Sequence, residues 1–194
     1  MHLLAVLLSG SGRTLTNLVE QIDHRKLSNK VRVELVIASK VCAGCDRARE
    51  LGLKPLVMPG EIPAATLGPL LEQHKIDLVL LAGYLKKLHI PAGFEGRVVN
   101  IHPALLPDFG GPGMYGHHVH EAVLARGCKT SGCTVHFCDS QYDTGAIIVQ
   151  RSCPVLADDT PGALAARVFA EECKAYPEAL ERLIKTVPPR GSAA

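Results

Sequence analysis

Tryptophan is absent from this 194-residue chain, and phenylalanine and tyrosine number only four each. That scarcity argues against a platform on which single-stranded nucleic acid would stack. An excess of either charge is missing as well. The net charge is +2 at pH 7, so no polyanionic partner is implied, and the basic residues are scattered apart from Lys86-Lys87 and His24-Arg25-Lys26. The apolar start of the chain, residues 1–8, is too short to span a bilayer. It also lacks the basic region and small-residue cleavage site of a signal peptide. A cytoplasmic protein without a membrane partner is therefore expected, with its seven cysteines as reduced thiols. Cys42-x-x-Cys45 is the only close cysteine pair, and no second pair or paired histidines complete a zinc quartet, so no metal is expected. Internal repeats, heptads and linkers are absent too, which leaves one domain.

What is present is an ordinary globular composition, 47% apolar and 21% charged, in a length that suits a single α/β domain. The spacing predicts strands at residues 3–8, 31–39, 55–58, 77–82 and 97–101. Between them it predicts helices over residues 42–51 and 66–74, and one after the first strand carrying Leu15, Leu18, Val19 and Ile22 on a stripe. A two-faced strand at 131–138 and a short one at 146–149 read as a hairpin. Thr160-Pro161 starts a last helix, which Pro177 should kink or break. Strands alternating with helices predict one doubly wound, Rossmann-like α/β domain, with a mostly parallel sheet and flanking helices. It should occupy residues 1–187, with 188–194 a frayed tail.

The chain is organised around Val98-Val99-Asn100-Ile101-His102-Pro103. Strand side chains alternate faces, so Asn100 and His102 point the same way where a strand ends, the end at which open α/β sheets bind ligands. An amide donor beside an imidazole can stabilise a developing oxyanion. A satisfied polar pair at a strand terminus fits those residues equally well. Ser9-Gly10-Ser11-Gly12-Arg13-Thr14 joins the first strand to the first helix, where backbone N–H groups and the helix dipole face an anion. The third glycine of the dinucleotide fingerprint is missing, since Leu15 fills its place, so a small phosphate rather than NAD is expected. A plain tight turn is the alternative. The glycine-rich run from Asp108 to Gly116 is long enough to be functional. His117, His118 and His120 lack the spacing of helical zinc pairs and read as a polar helix start. Asp143, two places before Gly145, is unremarkable in a turn. Glu172 shares a helical stripe with Leu164, Val168 and Ala175, where a lone charge is costly unless paired.

Asn100-Ile101-His102-Pro103 with Leu105-Leu106-Pro107, then His136-Phe137, then Asp143 with Gly145, resembles the 10-formyltetrahydrofolate-dependent formyltransferase family, and most nearly its phosphoribosylglycinamide branch. The resemblance runs from the first strand to the last helix. It implies transfer of a formyl group from 10-formyltetrahydrofolate, a co-substrate, to the amine of glycinamide ribonucleotide through a tetrahedral intermediate. Asn100, His102 and Asp143 would be catalytic, with Asp143 orienting His102 and raising its pKa. Ser11, Gly12, Arg13 and Thr14 would hold the substrate phosphate, and Glu172 substrate hydroxyls. The folate would lie against Leu85, Lys86, Lys87, Leu88 and Asn100, and against Cys138, Asp139, Ser140, Gln141 and Tyr142. No metal or nucleic acid is needed, and a homodimer is compatible. Two other readings stand beside this one: a 10-formyltetrahydrofolate deformylase, with water replacing the amine, and a non-catalytic folate- or nucleotide-binding module. The chain departs from the family's usual pattern at Arg13-Thr14, where Ser-Asn is common, and at Phe169, where Gln is common.

Overall fold

β1 (His2–Leu8) is the strand against which the first part of the chain assembles, and its composition explains why. Leu4 to Leu8 are fully buried, as a continuous apolar strand covered on both faces must be. In the computed structural model, which describes residues 1–190, β2 (Val31–Ala38) and β4 (Leu78–Leu81) flank β1 in parallel, and β3 (Pro55–Val57) adds to β2. Parallel neighbours need crossovers. These are α1 (Arg13–His24), α2 (Ala43–Glu50) and α3 (Ala64–Gln73). α1 buries Leu15, Leu18 and Ile22, and α3 buries Leu67 and Leu71. From β1 the strand order runs out to β2 and β3 on one side and reverses to β4 on the other, which creates a topological switch point at the C-terminal ends of β1 and β4.

β5 (Val98–His102), α4 (His117–Ala125), β6 (Thr130–Phe137), β7 (Ile147–Pro154) and α5 (Pro161–Thr186) complete the fold. Among the described residues the strands follow the order β3-β2-β1-β4-β5-β6-β7, and β6 and β7 pair antiparallel. The described chain packs as two compact units, residues 1–99 with 180–190, and Asn100–Ala179.

Two local expectations differ from what is found. β7 continues to Pro154 instead of ending at residue 149, because residues as far as Pro154 pair with β6 back to Thr130. Only Val149 and Cys153 of β7 are buried, so its second half carries no apolar run. α5 passes through Pro177 without ending. A mid-helix proline costs about 3 kcal/mol, while burying a leucine returns roughly 1.5–3 kcal/mol, and Leu180 and Leu183 just beyond it are buried. Of the expected tail, Arg190 is anchored. Its backbone N–H donates to Asp77, its guanidinium meets Glu72 and the Gly93 carbonyl, and it lies 4.1 Å over the Phe94 ring. Residues 191–194 lie outside the described residues.

Candidate active site

In the second unit, Ile101 of β5 is buried on one side while Asn100 and His102 take the other face, as strand alternation requires. The chain after β5 is fixed by Thr134 of β6, which is fully buried. Its hydroxyl donates to the Ala104 carbonyl (2.7 Å) and accepts from Leu106 N–H (3.0 Å), and Gln150 Nε2 donates to the Leu106 carbonyl (2.8 Å).

His102 is engaged at both ring nitrogens. A carbonyl only accepts, so Nε2 carries the hydrogen that it donates to Phe109 O at 2.7 Å. Nδ1 then faces Asp143 Oδ2 at 3.6 Å. The same carboxylate accepts from Gly111 N–H at 2.9 Å, and its Oδ1 lies 3.5 Å from both Asn100 Nδ2 and His136 Nε2. The glycine-rich loop thus contributes two backbone groups to the trio, the Phe109 carbonyl and the Gly111 amide. Asp143 sits at φ 58°, a left-handed conformation that aspartate tolerates better than most residues. Gly145 closes the turn. A Cβ there would lie 1.9 Å from Phe137 O, so no larger residue fits.

His136 belongs to this cluster, although sequence reasoning gave it no role. Its Nδ1 donates to Phe137 O at 2.9 Å, and its Nε2 lies 3.3 Å from Asn100 Nδ2. The family resemblance included His136 without a role, and the alternation of β6 places it on the face of Thr134.

The electrostatics follow from burial and charge. Burial pushes the His102 imidazole below its ordinary value. The Asp143 charge and the Phe109 carbonyl pull it back up, and His136 opposes them. Asp143 raises the His102 pKa as expected, yet the net direction is down, because desolvation outweighs the carboxylate. Burial raises the Asp143 carboxyl, yet the His136 hydrogen bond, the His102 ring and the Gly111 amide more than reverse it, and its pKa falls below the usual carboxylate value. A neutral imidazole beside a carboxylate that stays charged can take a proton and return it.

An open cleft of about 680 Å³, lined in part by Leu106, Pro107, Gly110, Tyr142 and Asp143, lies at this cluster. Ser140, Gln141 and Tyr142 are exposed around it. Asp139 points inward to its own turn, accepting from Gln141 N–H (2.8 Å) and Thr144 Oγ1 (2.9 Å). Burial, with Asp143 and Asp139 adding to it, pushes the Cys138 thiol up to about 12, which favours its neutral form. Glu172 is half-buried on α5, and its charge reaches the buried Cys133.

The remaining expected residues lie in the first unit, at the switch point. Gly12 is left-handed (φ 75°) and begins α1, which no side chain caps among the described residues. Ser11 and Arg13 are exposed and Thr14 half-buried. The turn is braced by the start of α2. Gly44 N–H donates to Gly10 O at 3.0 Å, Arg47 donates to Ser11 O, and a Cβ on Gly12 would lie 2.6 Å from Gly44 Cα. Ser9 ties the same turn to the loop after β4. Its Oγ accepts from Leu85 N–H (2.9 Å) and bonds Ser39 Oγ (2.6 Å). Leu85, Lys86 and Lys87 are exposed there, and Leu88 pairs with Ile62. Among the described residues no group of three or more histidine, cysteine, aspartate or glutamate side chains could hold a metal. No helix of the described residues is long and apolar enough to cross a membrane.

Residues 3–180 match the formyl transferase family. A chloroplastic phosphoribosylglycinamide formyltransferase of Vigna unguiculata is 43% identical over 188 residues, covering 93% of this chain and 60% of that protein. One of Arabidopsis thaliana is 44% identical over 184 residues, 90% of this chain and 63% of that protein. The chain thus spans less than two thirds of the length of these relatives. Among solved structures, glycinamide ribonucleotide transformylase 1 of Symbiobacterium toebii superposes with a TM-score of 0.85 at 36% identity, over 95% of this chain and 88% of that one. Phosphoribosylglycinamide formyltransferase of Streptococcus pneumoniae gives 0.81 at 37%, over 94% and 99%.

Proposed function

Because the chain belongs to the formyl transferase family, we propose that it moves the formyl group of 10-formyltetrahydrofolate onto the amine of glycinamide ribonucleotide, a step of de novo purine biosynthesis. The observation that carries this reading is the Asp143 carboxylate, 3.6 Å from His102 Nδ1 and 3.5 Å from Asn100 Nδ2. The reading draws further support from the names of the relatives.

The chemistry follows from those atoms. The amine attacks the formyl carbon, which leaves a positive nitrogen and a negative oxygen on a tetrahedral centre. The Asn100 amide donates to that oxygen. Neutral His102 takes the surplus proton at Nδ1, the nitrogen that faces Asp143, and the carboxylate stabilises the imidazolium so formed. His102 then gives the proton to N10 of the departing folate. Collapse of the centre leaves formylated amine and tetrahydrofolate, with atoms and charge balanced. A donor aimed at a developing oxyanion supplies about 3 kcal/mol, and a positioned acid–base group about 10² to 10⁴ in rate.

In this reading the substrate phosphate rests on Ser11, Gly12, Arg13 and Thr14 at the start of α1, where backbone N–H groups favour an anion. The folate contacts Leu85 to Leu88, Asn100 and the stretch from Cys138 to Tyr142, and Glu172 accepts from substrate hydroxyls. The partners are these two small molecules, with no metal, nucleic acid or membrane. The reading also includes a cytoplasmic location and allows a homodimer, which cell fractionation and sedimentation test.

The decisive assay is tetrahydrofolate release from 10-formyltetrahydrofolate with and without glycinamide ribonucleotide. Release that requires the ribonucleotide supports the transferase. Release without it replaces this reading with a deformylase, and folate binding without release replaces it with a binding module.

A further inference from the structure

Cys42 and Cys45 take no part in the chemistry above, yet they are built as a pair. Cys42 is the residue from which α2 springs and is half-buried. Cys45, three residues on, is fully buried. Their sulfurs lie 4.0 Å apart, and Cys45 N–H donates to Cys42 O at 2.8 Å. A strand, then Cys-x-x-Cys at the start of a helix, with one reachable sulfur and one sheltered sulfur, is the arrangement of dithiol redox sites. Two thiols with no third ligand group do not make a metal site, and none is found among the described residues.

We propose that Cys42 and Cys45 form a redox-active dithiol, a modification site whose oxidant is a small-molecule disulfide of the glutathione class. The Cys42 thiolate attacks the oxidant's S–S bond, forms a mixed disulfide and releases one thiol. The Cys45 sulfur, once deprotonated, attacks the Cys42 sulfur and releases the second. Two protein thiols and one disulfide become one protein disulfide and two thiols, so the protein loses the two electrons that the oxidant gains.

The bond has a mechanical consequence. A disulfide holds its sulfurs about 2 Å apart, so they must close by roughly half their present separation. Cys45 is packed in the core, so the motion falls on Cys42 and the start of α2. Gly44 sits between the two cysteines and donates to Gly10 O, and a Cβ on it would come within 3.2 Å of Gly12 N. Arg47 in the same helix holds Ser11 O. Oxidation therefore disturbs the 10–12 turn. This second step rests on the proposed phosphate site.

The test treats the whole protein with glutathione disulfide, quenches it in acid, alkylates it under denaturing conditions and maps its peptides. Lys40 and Arg47 bound a tryptic peptide that holds both cysteines. The expected result is an unalkylated 41–47 peptide lighter by two hydrogens, reversed by dithiothreitol and absent in Cys42→Ser and in Cys45→Ala. In steady-state assays, oxidation should raise KM for the phosphorylated amine by about tenfold, the size of one lost charge-assisted hydrogen bond, with kcat changed less. Full alkylation of both cysteines overturns the dithiol. A disulfide that forms with KM unmoved overturns its coupling to the turn. If neither redox form uses a phosphorylated amine, the proposed function fails, and the peptide map still decides the dithiol.

Discussion

Asp143 is the residue on which the site's electrostatics turn, since it faces His102, His136, Asn100 and the Gly111 amide together. Asp143→Asn removes the charge that holds His102 up against the downward pull of burial. Turnover should fall by about 10² to 10⁴. The sign of the pH effect follows as well. The active form of His102 is neutral, so kcat/KM climbs as pH rises through its pKa and is flat above it. Without the carboxylate that pKa drops further, and the acid limb of the kcat/KM profile should move to lower pH. A limb that stays in place in the variant would remove His102 as the titrating group. Asn100→Ala deletes the oxyanion donor and should cost about 3 kcal/mol in kcat/KM, read from steady-state rates. At this scale the shared face of Asn100 and His102 was legible from strand alternation, while their proposed roles came through the resemblance. Asp143 was legible only through the resemblance, because an aspartate before a glycine is ordinary turn chemistry. His136 escaped because its partners come from β5 and from a turn, and no local pattern in β6 announces them.

At the scale of elements, two turns carry the reading. Gly145 lets the Asp143 turn pass against the end of β6, and a Cβ there would meet Phe137 O at 1.9 Å. Gly145→Ala must push the turn away. It should lower stability by about 1–3 kcal/mol and cut kcat more than it raises KM, because the carboxylate moves while the first unit's turn does not. Thermal melts and steady-state rates check both. The 10–14 turn gives the opposite split. Arg13→Ala should raise KM for the phosphorylated amine with little change in kcat, and an unchanged KM would move the phosphate elsewhere. β1 and β4 were legible because strands buried on both faces read as unbroken apolar runs. The second half of β7 was not, because an edge strand needs only alternate apolar residues, and Gln150, Arg151 and Ser152 hide it. Of the kink or break expected at Pro177, the break is absent. The local rule is right about a proline, and the burial of Leu180 and Leu183 overrides it.

For the whole molecule, the doubly wound sheet follows from alternation along the chain, but its division into two compact units at Val99 and Asn100 does not. The boundary falls inside β5, whose sequence pattern runs on unbroken. The chain as a whole also carries an acid sensitivity set by its buried histidines. His102 and His120 are both buried, and the His120 Nδ1 has no hydrogen-bond partner. Burial holds both below the ordinary imidazole value, with His117 and His102 pressing His120 further down. The unfolded chain titrates its histidines near about 6.5, so between that value and their folded pKa values the unfolded state binds more protons. The stability these groups provide is complete above about pH 6.5 and is lost as pH falls from there. Asp143, with its folded pKa below the ordinary carboxylate range, adds a further loss only under more acid conditions, below about pH 4. The melting temperature should therefore be flat from pH 8 to 7 and decline steadily from about pH 6.5 to pH 5. His120→Leu should flatten part of that decline without moving the acid limb of kcat/KM. A melting temperature that holds constant down to pH 5 would mean that these histidines accept protons inside the fold, and that burial is not what governs them.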